Sequence, residues 1–110
     1  MTVQEYQEKA RRTQNPNMNE KDRLYHAVLG LTSEAGEAAG ILQKEYQGHP
    51  FDRDHMIKEL GDCLWMISEA CDALDVGISE VMQINISKLM ERYPDGFSAD
   101  KSMHRKAGDI

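Results

Sequence analysis

The chain has 110 residues, 40% of them apolar, with a net charge of −6 and a pI near 5.1. That length suits one domain whose short helical core a second copy often completes. No Lys/Arg block offers a nucleic-acid or anionic-membrane surface, and no segment approaches the roughly 20 apolar residues of a membrane span.

The amino-terminal MTVQEYQEKARR lacks the apolar core and cleavage-type site of a signal peptide. Val3, Tyr6 and Ala10 mark one face of a short first helix that stops before Gln14-Asn15-Pro16-Asn17. A second helix carries Leu24, Val28, Leu31, Ala35, Ala38 and Leu42 as one stripe and ends near Gln47-Gly48-His49-Pro50. Asp52 or Asp54 is placed to cap a third helix, whose stripe is Ile57, Leu60, Leu64, Ile67, Cys71 and Leu74. Its 3-4 stepping is the repeat of helices packed nearly side by side in a bundle. Gly77 is expected to close it, and a fourth helix with Ile78, Met82, Ile86, Leu89 and Tyr93 breaks at Pro94-Asp95-Gly96. Residues 98–110 have little periodicity and form a less regular tail that wraps the bundle or packs on a partner chain. No stretch alternates as a strand, so the fold class is all-α, a four-helix bundle in a single domain over 1–110.

Cys63 and Cys71 lie eight apart on the third helix, about 12 Å at 1.5 Å per residue, too far for a disulfide. Two free thiols suit the cytoplasm.

One internal echo stands out. Glu34-Ala35-Gly36-Glu37 and Glu59-Leu60-Gly61-Asp62 both read Glu-x-Gly-acid. Residues three apart share a helix face, so each pair of like charges weakens its own helix unless a cation bridges it. Each pair flanks an apolar stripe, so facing stripes bring four carboxylates together at the edge of the core. Gly36 and Gly61 cost roughly 1 kcal/mol each relative to Ala, which suits close approach of a backbone or ligand. Four hard oxygen donors with no His or Cys at matching spacing favour Mg²⁺, Mn²⁺ or Ca²⁺ over zinc. With 19 acidic residues, solvated helix charges remain the competing explanation, which the doubled glycine placement disfavours.

On the fourth helix Asn85, Lys88 and Arg92 form a polar ridge ending in Tyr93, and Lys44 shares the face of Glu34 and Glu37. Such a mixture suits a site needing both a divalent cation and phosphate ligands. His26, His49, His55 and His104 show no ligand or triad spacing and read as surface or loop residues. Trp65 and the methionines read as core.

These residues resemble a known family. The Glu34/Glu37 and Glu59/Asp62 pairs look like the ExxE…ExxD signature of MazG-like all-α nucleoside triphosphate pyrophosphohydrolases. Asn85 to Phe97 is similar to that family's Asn-x-x-Lys…Arg-Tyr segment, and Tyr6 to Thr13 to the first helix of its short members. The resemblance implies a Mg²⁺ site (Mn²⁺ as substitute) formed by Glu34, Glu37, Glu59 and Asp62, and of these we place Glu37 nearest the attacking water. It further implies that Lys44, Asn85, Lys88, Arg92 and Tyr93 contact a nucleoside triphosphate substrate, and a homodimer or dimer of dimers. The implied reaction yields the monophosphate and pyrophosphate. Alternatives are a dUTP- or phosphoribosyl-ATP-specific hydrolase, or a non-catalytic helical dimer whose acidic patch binds metal or a partner protein. A di-iron bundle would call for Glu-x-x-His, and Asp62 stands where the His would be.

Overall fold

The computed structural model describes residues 1–110 and contains five helices and no strand: α1 Val3–Arg11, α2 Glu20–Tyr46, α3 Arg53–Ala73, α4 Ile78–Arg92 and α5 Ala99–Met103. The chain divides into two compact units, Met1–Ile78 and Ser79–Ile110. The all-α expectation holds, with a fifth, short helix inside the segment expected to be irregular. No helix is long and apolar enough to cross a membrane.

The helix limits have local causes. Thr2, Asn19, Asp52 and Ser98 each turn a side-chain oxygen back to a first-turn amide of α1, α2, α3 and α5, filling donors that the helix leaves unpaired. At the end of α2, Gly48 takes φ 102° while the amides of Gly48 and His49 bond the carbonyls of Glu45 and Lys44. The same double closure ends α3, through Asp75 to Asp72 and Val76 to Cys71. There the left-handed residue is Asp75, at φ 55°, rather than the expected Gly77. Asp tolerates this conformation better than most side chains.

In the first unit α2 and α3 form an antiparallel hairpin. His26 meets Glu69, Gly30 meets Met66, and Glu34 lies among Glu59 and Asp62, so residue numbers fall on α3 as they rise on α2. The seam runs along His26, Gly30 and Glu34 on one side and Glu59, Met66 and Glu69 on the other, with Ala27 and Ile41 buried beside it. It is offset by about one residue from the leucine stripes read in the sequence. Val28, Leu42, Ile57, Leu60, Leu64 and Leu74 are all exposed, Leu60 at 57%. Small residues explain the shift. Gly30 lets Met66 approach so closely that a β-carbon there would sit 2.6 Å from the Met66 Sδ.

Polar contacts dock α1 on α3. Asp72 accepts from Gln7 at 2.9 Å, Arg11 at 2.8 Å and Gln14 at 2.6 Å. Gln7 Oε1 also accepts from the amide of Ile78. Trp65, expected in the core, is half-buried and donates its indole N–H to the Thr13 hydroxyl at 2.9 Å.

In the second unit the tail folds back on the end of α4. Arg92 donates from Nε and Nη2 to both carboxylate oxygens of Asp109, at 2.8 and 2.7 Å. Tyr93 and Phe97 pack with ring centroids 5.6 Å apart.

Candidate metal centre

The α2–α3 hairpin brings Glu34, Glu59 and Asp62 together, one carboxylate oxygen from each lying within 4.8 Å of the others. The antiparallel register produces this directly: with His26 opposite Glu69 and Gly30 opposite Met66, Glu34 falls opposite the turn of α3 that carries Glu59 and Asp62. The donor set is all carboxylate, suited to a hard divalent cation. Glu59 supplies a second, independent indication. It is 6% exposed, its Oε1 contacts His55 Nε2 at 2.9 Å, and its Oε2 is buried with no hydrogen-bond partner. A buried carboxylate oxygen without a donor costs free energy that a bound cation would recover.

Crowding of like charge shows in Glu34. Its pKa is raised, through loss of solvation and then the charges of Glu37, Asp62 and Glu59. Tyr6 of α1 borders the cluster: its phenol pKa is pushed up by burial and by Asp62.

Glu37, the fourth carboxylate of the sequence pattern, is exposed and outside the tight trio, though close enough to act on Glu34. Lys44 is exposed two turns further along α2 and makes no ion pair. On α4, Asn85 and Lys88 are exposed, whereas the Arg92 side chain is largely buried and Tyr93, just past the helix, is half-buried. Arg92 is engaged by Asp109, and its guanidinium carbon stands 5.9 Å from the Tyr93 ring centroid. Gly36 and Gly61 face open space in the folded chain, with nothing within 4 Å of a built β-carbon. Within the folded chain the close approach is at Gly30, against the Met66 side chain.

Two histidines read as bland surface residues touch buried glutamates. His55 holds Glu59, and His26 Nδ1 lies 2.5 Å from Oε1 of Glu69, whose side chain is 0% exposed. The i,i+4 spacing of His55 and Glu59 was a legible signal. The His26–Glu69 pair, 43 residues apart, had none.

The MazG nucleotide pyrophosphohydrolase domain matches residues 24–97, which include both acidic pairs and the polar ridge of α4. This chain belongs to the MazG family. Over 78 residues, covering 66% of this MazG chain and 68% of its relative, it is 35% identical to the gene 37 protein of Mycobacterium phage L5. No solved structure matches. Membership places the chain among nucleotide pyrophosphohydrolases, a generally divalent-metal-dependent family acting on nucleoside triphosphates.

Proposed function

We propose that the protein is a Mg²⁺-dependent nucleoside triphosphate pyrophosphohydrolase that releases a nucleoside monophosphate and pyrophosphate. The observation carrying this reading is the trio Glu34, Glu59 and Asp62 with its buried, unpartnered Glu59 Oε2, in a chain of the MazG family. Those three carboxylates hold the cation, with Glu37 beside them. When bound, Mg²⁺ (or Mn²⁺) offsets phosphate charge and polarises the phosphoryl group.

The oxygen of a water molecule bonds to the α-phosphorus. The α–β bridging P–O bond breaks, its electron pair leaving with pyrophosphate. Glu37, exposed and outside the trio, orients the water and accepts its proton. Lys44, Asn85, Lys88, Arg92 and Tyr93 are assigned to the nucleotide's phosphates and sugar, on the family pattern. The half-exposed apolar residues Val28, Ile57, Leu60 and Leu64 support a homo-oligomer in which a second copy covers them.

A panel of ribo- and deoxyribonucleoside triphosphates, assayed with Mg²⁺ and resolved chromatographically, tests the reading. Monophosphate plus pyrophosphate, abolished in Glu59→Gln and Glu37→Gln, is the expected result. Folded protein that turns over no nucleotide would return the site to a metal- or partner-binding module.

A further inference from the structure

The second unit contains a cavity of about 550 Å³ between the end of α4 and the tail. Five of its lining side chains are Lys or Arg and only two, Glu91 and Asp109, are acidic. The local balance is unusual for this chain: the residues from Ser79 onward hold five Lys/Arg and five Asp/Glu, so residues 1–78 carry the whole net charge of −6. The cavity gathers every one of those five cations and leaves Glu80, Asp95 and Asp100 outside.

Only Arg92 among the five is paired. Its fork is closed by Asp109, and the two side chains are 10% and 18% exposed. Lys88, Lys101 and Arg105 form no ion pair. Asp109 is presented by a tight turn in which its amide bonds the carbonyl of Lys106 at 3.1 Å and Gly108 takes φ 84°, a conformation that glycine permits. The pKa of Asp109 is lowered, first by its hydrogen bonds from Arg92 and also by the charges of Arg105 and Lys88. One carboxylate thus answers several cations. A guanidinium fork binds carboxylate and phosphate in the same two-pronged way, but a phosphate group brings more charge and a third oxygen.

We propose that this cavity is a phosphate-anion site in which Asp109 occupies Arg92 until a phosphate group displaces it, with Lys101 and Arg105 of the tail joining Lys88 as ligands. This deepens the assignment of Lys88 and Arg92 made above and rests on it. The tail therefore contributes to anion binding, and its own carboxylate competes for the site. The anion is either a phosphate of the nucleotide or free pyrophosphate, which share the chemistry that Arg92 recognises.

The test is a pyrophosphate titration of the full chain without divalent metal, following the Arg92 Nε–H and the amides of residues 106–109 by NMR. Asp109→Asn tightens binding on the order of ten-fold, while Asp95→Asn, an equal charge change outside the cavity, leaves it unaltered. Arg105→Gln and Lys101→Gln keep the Arg92–Asp109 pair and weaken binding; they carry the test if Asp109→Asn releases the tail. Equal effects of Asp109→Asn and Asp95→Asn, wild-type binding by both tail variants, or no perturbation at Arg92 would each overturn the proposal.

Kinetics separate the two sources. A raised KM for the triphosphate in Arg105→Gln, at unchanged kcat, identifies the nucleotide phosphates. An unchanged KM with weaker inhibition by pyrophosphate identifies the free anion. Pyrophosphate binding in a chain that hydrolyses no nucleotide preserves this site and refutes the enzyme reading. Hydrolysis without anion binding at Arg92 does the reverse.

Discussion

His55 Nε2 stands 2.9 Å from Glu59 Oε1 and leaves the other carboxylate oxygen buried and unpaired. The two residues are one turn apart on α3, so the helix itself sets the contact, and Glu59 belongs to the trio with Glu34 and Asp62. Partners of metal-binding carboxylates hold the carboxylate in its working orientation. His55→Ala should weaken Mn²⁺ binding about 10- to 100-fold, and because it leaves the buried Glu59 carboxylate with no partner it should also destabilise the metal-free chain by about 1–3 kcal/mol. Calorimetric titration with Mn²⁺ measures it, and unchanged affinity would mean that His55 does not position the ligand.

Glu69 is the buried charge outside the trio. Its one hydrogen-bond partner is His26, and its Oε2 has none. Removing the half-exposed His26 strands the buried carboxyl group, whereas replacing that group with an apolar side chain relieves it. His26→Ala should therefore destabilise the fold by about 2 kcal/mol or more, with Glu69→Leu costing less. Urea unfolding of the two variants gives the order, and the reverse order would contradict this role for the pair.

The glycines separate fold from function. Gly36→Ala and Gly61→Ala meet nothing in the folded chain and should each stabilise by up to ~1 kcal/mol through helix propensity. Gly30→Ala drives a β-carbon against the flexible end of Met66, so its propensity gain is reduced by the shift that Met66 must make. Denaturant midpoints distinguish the three. Loss of activity in Gly36→Ala or Gly61→Ala at full stability would place a ligand or partner chain over those positions.

Asp72 makes the docking of α1 acid-sensitive. Burial pushes its pKa up, but the hydrogen bonds from Arg11, Gln7 and Gln14 outweigh that and hold it below the ordinary carboxylate value. A depressed folded pKa contributes stability that is present above the unfolded value, near ~3.9, and lost as pH falls through the folded one. Asp72→Asn should cost about 1–3 kcal/mol at neutral pH and flatten the stability profile below about pH 4. An unchanged acid limb in the variant would show that other carboxylates set it.

Much of this was readable from residue order. The break at Gln14 to Asn17, the Gly48 closure, the Asp52 cap and the paired acids at 34/37 and 59/62 all announce themselves through local chemistry. The seam did not. Apolar periodicity weights large side chains, so it pointed to Val28, Leu60 and Leu64, which the isolated chain leaves half-exposed. The α2–α3 contact uses Gly30, with Ala27 fully buried beside it, and their value is closeness rather than hydrophobic bulk. The His26–Glu69 and Arg92–Asp109 pairs were unreadable for another reason: they join residues that only the tertiary path brings together.

Water attack at the α-phosphorus of a nucleoside triphosphate defines the proposed reaction. Hydrolysis in ¹⁸O-water with Mg²⁺, followed by mass spectrometry of both products, tests it most directly. Attack at the α-phosphorus puts one label in the nucleoside monophosphate and none in pyrophosphate, with turnover lost in Glu59→Gln. Label in pyrophosphate, release of orthophosphate instead, or turnover that survives loss of the Glu59 carboxylate would contradict it.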